Sequence, residues 1–261
     1  MVIAIRLSIL TLSFFIYCAA PALCAEVVDI PTPKGKPQRI LFYPAPAAEA
    51  TVVLFPGGDG IVGIRDDGSA DRPGHTFTRS MNLWEKQRIN AVLFDAPDGL
   101  GRHGELRDDA DHVDRITAVI SWLRSRSNLP VWLVGHSNGT ISVASYLNAA
   151  PGNEKNVAGL AVLGTEHSVA FKRPVKLPIL AVHHNQDGCN VTPISASVRV
   201  IDAAKATSPR AELVRMDGGR QESAPCRARS YHGFLGIEDE LVSRIGAFVR
   251  KGSAPAAAAP K

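Results

Sequence analysis

The sequence predicts an α/β architecture in which helices cover a parallel sheet, and three observations carry that prediction. Short runs of apolar and β-branched residues alternate through the middle of the chain with longer stretches of helical period, the pattern that successive βαβ units produce. Several of the short runs are continuously apolar rather than alternating, as strands buried on both faces must be. Once an N-terminal leader and a C-terminal tail are set aside, about 225 residues remain, the size of one large domain with a full hydrophobic core.

Residues 1–25 carry one early positive charge, Arg6, then a mostly apolar run from Leu7 to Tyr17, then small residues and Pro21, with Ala20, Cys24 and Ala25 as candidate cleavage ends. This is the layout of a secretory signal peptide. Pro21 and the short apolar core weigh against a retained membrane anchor, and Leu23 before Cys24 is too large for the usual lipidation site. The expected location is therefore periplasmic or secreted. Losing the leader lowers the formal charge of +4 by one, a balance that suggests neither a nucleic-acid partner nor a polybasic membrane surface. From residue 251 the chain runs Lys-Gly-Ser-Ala-Pro-Ala-Ala-Ala-Ala-Pro-Lys, an Ala/Pro-rich tail excluded from the folded domain, which is assigned to 26–250.

Strands are expected at residues 27–30, 39–43, 51–55, 91–94, 131–134, 159–163, 179–182 and 211–216. Helices are expected between and after them. Residues 108–126 place Ile116, Val119, Ile120 and Leu123 at i, i+3, i+4 and i+7, with an acidic start and a basic end that suit the helix dipole. Residues 137–148 form a second helix, 193–206 a third that begins with a proline in its first turn, and 237–249 a fourth that buries Leu241, Ile245 and Phe248. Only residues 164–177 separate the sixth strand from the seventh, which leaves no room there for a large cap.

The fifth strand ends in Gly135-His136-Ser137-Asn138-Gly139. A serine hydroxyl is a weak nucleophile unless it is projected from the sheet and given a base. Glycines two residues to either side permit a sharp strand-to-helix turn that holds the serine in a strained conformation, the G-x-S-x-G elbow. A carboxylate and a histidine then follow in order, each just past a strand: Asp187 after residues 179–182, and His232 after residues 211–216.

With the order Ser137, Asp187, His232, the chain resembles the α/β-hydrolase superfamily over essentially its whole mature length. The resemblance implies a mostly parallel eight-stranded sheet with helices on both faces and a triad at its carboxyl edge, in which Ser137 attacks a carbonyl, His232 takes and returns its proton, and Asp187 orients the imidazole. Glu166, past the sixth strand, is the rival acid; Asp95 and Asp98 follow a strand on the far side of Ser137 and are less suited. The oxyanion hole is expected from the backbone of Asn138 and of the Phe55-Pro56-Gly57-Gly58-Asp59-Gly60 loop, with Gly58 favoured over Gly57. His136 is confined by the elbow, His183 and His184 lie near the site without an assigned role, and His75, His103 and His112 are taken as surface or loop residues.

Cys189 and Cys226 flank the expected acid and base, and export puts them in an oxidising compartment, so a disulfide between them is expected. Two motifs are set aside. Gly58-Asp59-Gly60-Ile61-Val62-Gly63 fits a dinucleotide fingerprint, but the breaker-rich residues after it do not begin a helix, which weighs against a Rossmann oxidoreductase. Asn138 and Asn190 open glycosylation sequons, and a glycan on Asn138 would block the elbow, so both are read as fortuitous. Asp66, Asp67 and Asp71 miss calcium-loop spacing. Arg65, Arg72 and Arg79, with Arg220, Arg227 and Arg229, could favour an acidic substrate or could simply be solvated.

The expectation is a serine hydrolase cleaving carboxylic esters through an acyl-enzyme, with no metal, no organic cofactor and a small-molecule ester as its partner. A peptidase or amidase on the same fold uses the same groups, and a non-catalytic binding member is the reading from a different class.

Overall fold

The eight apolar runs are all strands in the computed structural model, which describes residues 24–253. They are β1 (Glu26–Ile30), β2 (Gln38–Tyr43), β3 (Ala50–Phe55), β4 (Ile89–Phe94), β5 (Val131–His136), β6 (Gly159–Leu163), β7 (Ile179–His184) and β8 (Ala211–Met216). They pair into one sheet in the order β1-β2-β4-β3-β5-β6-β7-β8. β2 runs antiparallel to β1 and β4, and every other pair is parallel. Apart from Cys24 and Ala25, the expected leader lies outside the described residues, as does the tail beyond Ser253.

The four helices are α1 (Ala110–Arg126), α2 (Gly139–Ala149), α3 (Ile194–Ala204) and α4 (Glu238–Ser253). α1, α2 and α3 cover one face, burying Ile116, Val119, Ile120 and Leu123, Val143 and Tyr146, and Val200 and Ile201 against the sheet. α4 covers the other with Leu241, Val242, Ile245 and Phe248, beside Phe77, Met81 and Trp84 in and flanking a pair of short 3-10 turns. Complete burial of such a side chain contributes roughly 1.5–3 kcal/mol, and this packing, more than helix propensity, holds the helices in place.

Helix starts differ from expectation for local reasons. α2 begins at Gly139, because Ser137 is left-handed (φ 54°) and Asn138 is the N-cap. Pro193 is the N-cap of α3, with ψ 146°, rather than its first helical residue. α4 continues to Ser253, past the expected boundary at 250, with Arg250 and Lys251 in its last turn where the dipole favours cations.

Because β3 to β8 run parallel, their carboxyl ends lie along one edge, and the loops that follow them share it. Residues 164–178 between β6 and β7 contain no helix. The segment after β3, which carries the dinucleotide-like glycines, runs as irregular chain up to Thr78, so the helix that fingerprint requires is not there. Among the described residues, no helix is long and apolar enough to cross a membrane.

Candidate active site

At the end of β5 the backbone reverses within five residues, and the glycines at its ends permit it. A Cβ on Gly135 would lie 2.3 Å from the Gly139 carbonyl oxygen, and a Cβ on Gly139 would lie 2.0 Å from the Phe55 carbonyl oxygen. Ser137 between them sits at φ 54°, a left-handed conformation that costs a non-glycine residue on the order of 1–3 kcal/mol. The turn is anchored by the Ser137 N–H, which donates to Leu163 O at 2.8 Å, and by Thr140, whose hydroxyl donates to Ser137 O at 2.6 Å.

His232 comes from the long loop between β8 and α4. Its Nδ1 is 2.8 Å from Asp187 Oδ2, with both side chains no more than 2% exposed. Thr192 Oγ1 lies 3.3 Å from the same carboxylate oxygen, and the Cys189 N–H donates to Oδ1 at 2.8 Å. A proton on Nδ1 shared with Asp187 leaves Nε2 as the acceptor. Gly164 makes room for the imidazole: a Cβ there would stand 3.1 Å from His232 Cε1.

Glu166, the rival acid, is engaged elsewhere. Its carboxylate accepts the N–H and hydroxyl of Ser168 and lies 2.7 Å from His167 Nδ1. Asp95 is buried and accepts the backbone N–H groups of Val62, Gly63 and Ile64 at 2.8–3.2 Å, which fixes the loop after β3. Asp98 is exposed and pairs with Lys36.

Ser137 and His232 line one cavity of about 370 Å³, together with Gly57, Gly58, His75 and His136. Gly57 is pressed against the elbow, since a Cβ on it would meet Ser137 Cβ at 2.9 Å. The Gly58 carbonyl accepts from Asn138 Nδ2 at 3.1 Å, which ties the two expected oxyanion donors' residues together. The backbone N–H of Asn138 belongs to the start of α2, where the helix dipole favours negative charge.

Three residues with no role assigned from sequence complete the surroundings. His136 donates from Nε2 to His232 O at 2.9 Å, and its ring packs 4.8 Å from that of His232. Arg107 is 1% exposed and spans the back of the loop after β3, donating to Pro56 O and to Ser142 Oγ, each at 2.7 Å, and to Gly58 O at 3.2 Å. His75, in the loop after β3, stands on the cavity wall with its Nδ1 buried. His112, also expected at the surface or in a loop, is 2% exposed on α1 and lies 2.8 Å from Ser142 Oγ. The correction is physical, because one turn of α1 brings its ring under α2, a contact that local patterning does not encode. His103 is exposed. His183 lies 3.9 Å from Asp187 Oδ2 and 3.2 Å from Ser197 Oγ, and His184 stacks on Tyr231.

Burial, aided by neighbouring arginines, pushes His75 and His112 down to about 3, and burial beside two other histidines holds His136 well below the ordinary 6.5. The unfolded chain therefore binds more protons than the folded one between about pH 3 and 6.5, so stability is full above that window and is lost as pH falls through it. The midpoint of thermal unfolding, followed by circular dichroism, is expected to decline already between pH 6.5 and 5, above the range where ordinary carboxylates protonate. A midpoint constant over that interval would contradict the burial of these rings as neutral groups.

The Asp187 and His232 loops are joined by a disulfide between Cys189 and Cys226, the pairing expected from sequence. In the chain-entropy picture, closing a loop of this size contributes roughly 4 kcal/mol.

No family model and no curated protein matches the sequence. Solved structures do resemble it. A thermophilic and thermostable carboxylesterase cloned from a metagenomic library has a TM-score of 0.62 at 19% identity, over 90% of this chain and 91% of that one. An α/β serine hydrolase without a lid from Xanthomonas campestris has a TM-score of 0.61 at 15% identity, over 87% of this chain and 94% of that one. A dienelactone hydrolase from Anabaena variabilis has a TM-score of 0.62 at 14% identity, over 86% and 96% respectively. At these identities the likeness is one of fold.

Proposed function

We propose that this chain, which has the α/β-hydrolase fold, is an exported serine hydrolase that cleaves small carboxylic esters through an acyl-enzyme. The observation that carries the reading is the 2.8 Å contact between Asp187 and His232, on an imidazole that shares its cavity with a serine held left-handed on an elbow.

In the mechanism this supports, Ser137 Oγ attacks the ester carbonyl while His232 Nε2 takes its proton. Asp187 keeps the other nitrogen protonated and stabilises the imidazolium that forms. Negative charge on the carbonyl oxygen is received by backbone N–H groups of Asn138 and of Gly58. His232 then returns the proton to the leaving alcohol, and a water activated by the same imidazole releases the acid and restores Ser137. His136 bonds only to the backbone of His232 and stays uncharged, so it holds the base in position without competing for its proton. The open edge between β6 and β7, without a cap, suits substrates of modest size. The disulfide is compatible with an oxidising compartment outside the cytoplasm.

The test is covalent labelling by a fluorophosphonate probe, together with hydrolysis of p-nitrophenyl acetate. Labelling at Ser137 and ester turnover are both expected, and both should vanish in Ser137→Ala. Absence of labelling in the folded wild type, or labelling that survives the substitution, would overturn the assignment.

A further inference from the structure

The wall of the cavity that Ser137 and His232 share is cationic. Arg72, Arg227 and Arg229 stand on it, no aspartate or glutamate does, and beyond Ala228 and the sulfur of Cys226 it offers no aliphatic side chain. An esterase built for long acyl chains would need a groove of leucine, valine or phenylalanine to hold them. Nothing of that kind lines this cavity.

Local acids neutralise these arginines only in part. Arg72 is held by Asp59 at 2.6 Å, while Glu222 is shared between Arg229 and Arg220. Among the described residues, Arg227 has no carboxylate at ion-pair distance. Two carboxylates thus hold Arg72 and Arg229, and Arg227, the third arginine on the wall, is left without one. The neighbouring rings of His75 and His136 are uncharged near neutral pH, so the field comes from the arginines.

The segment bearing Arg227 is also fixed in place. Cys226 beside it is bonded to Cys189 in the Asp187 loop, and the fully buried Ser230 shares its hydroxyl between Pro225 O and Arg227 O, each at 2.7 Å. A guanidinium on a pinned backbone loses less freedom on binding than one on a free loop, and its planar fork matches a carboxylate.

We infer that the substrate is an anionic ester, one carrying a carboxylate close to the scissile bond, and that Arg227, flanked by Arg229 and Arg72, receives that carboxylate. The inference rests on the serine-hydrolase reading above and names its substrate class. The arginines are exposed, so the expected preference is modest, roughly tenfold in kcat/KM at low ionic strength.

Two matched pairs test it. On the alcohol side, 4-acetoxybenzoate is compared with 4-acetoxybenzamide; on the acyl side, the mono-p-nitrophenyl ester of adipic acid is compared with p-nitrophenyl hexanoate, each corrected for its rate with hydroxide. The anionic member is expected to win in at least one pair. That advantage should shrink as salt is raised, and should fall severalfold in Arg227→Gln but not in Arg244→Gln, which removes a distant charge on α4. Equal or better turnover of the neutral member in both pairs would overturn the inference, as would an anionic preference that Arg227→Gln leaves intact. Fluorophosphonate labelling separates the two readings. Labelled protein with no anionic preference sinks the substrate class alone, whereas unlabelled protein that hydrolyses neither pair sinks the hydrolase reading and this inference with it.

Discussion

Replacing Asp187 by asparagine is expected to lower kcat about ten-thousand-fold, the scale seen when the orienting carboxylate of a serine triad becomes an amide, while leaving the fold intact. The size of the effect follows from the geometry. Asp187 Oδ2 accepts at 2.8 Å from His232 Nδ1 in a site where both side chains are almost wholly buried. An amide there can present its NH2 to Nδ1, which moves the imidazole proton to Nε2, the atom proposed to accept from Ser137. Thr192 Oγ1, 3.2 Å from His232 Nδ1, can then accept or donate to suit either tautomer and does not correct the error. The control is Glu166→Gln, whose carboxylate serves Ser168 and His167 rather than His232. It should change kcat less than threefold. Steady-state kinetics with p-nitrophenyl acetate decide the matter, and a large loss in Glu166→Gln with a small one in Asp187→Asn would reverse the assignment of the acid.

The contrast between these two acids also marks how far the sequence could be read. Both lie just past a strand, Glu166 after β6 and Asp187 after β7, so chain order alone left them as rivals; only the approach of a loop 45 residues further on separates them. The sheet was legible because most of its strands, such as Val52 to Phe55 and Leu160 to Leu163, are apolar on both faces and admit no other placement. The end of β7 was misjudged by two residues because His183 and His184 look like loop residues, whereas both are buried in the strand against Ser197 and Tyr231. Ser137 was legible through its glycines, whose missing side chains leave room for backbone that any Cβ would strike. What stayed hidden were polar groups satisfied far along the chain. His112 meets Ser142 across a separation of 30 residues, and Arg107 meets Pro56 across 51. Neither has a local pattern, because the partner that justifies its burial is supplied by packing.

Arg107 is the hidden residue with the largest expected consequence. Among the described residues, it is a buried cation without an ion pair of its own. The nearest acid acting on it, Asp59, is hydrogen-bonded to Arg72, and burial lowers its guanidinium to about 9, still charged at neutral pH. A charge in such a place costs several kcal/mol in desolvation and persists only if its hydrogen bonds are made. Here they go to Pro56 O and Gly58 O, the carbonyls on either side of Gly57 in the loop expected to receive the oxyanion, and to Ser142 Oγ in α2. The guanidinium therefore clamps that loop to the helix that starts at the elbow. In Arg107→Met, Gly58 O keeps the Asn138 amide, but Pro56 O loses the donor it has here, at a cost of about 1–3 kcal/mol. For a domain of this size, that corresponds to a fall of roughly 2–12 °C in the unfolding midpoint. The loss in kcat is expected to be larger, about a hundredfold, comparable with removal of one oxyanion donor, with KM changed less than threefold because the ground-state carbonyl carries little charge. Arg107→Lys keeps the charge but cannot reach Pro56, Gly58 and Ser142 together, so it should recover only part of kcat. A purely structural arginine would lower the melting midpoint while leaving kcat of the folded fraction at the wild-type level. That result, measured well below the midpoint, would remove Arg107 from the chemistry.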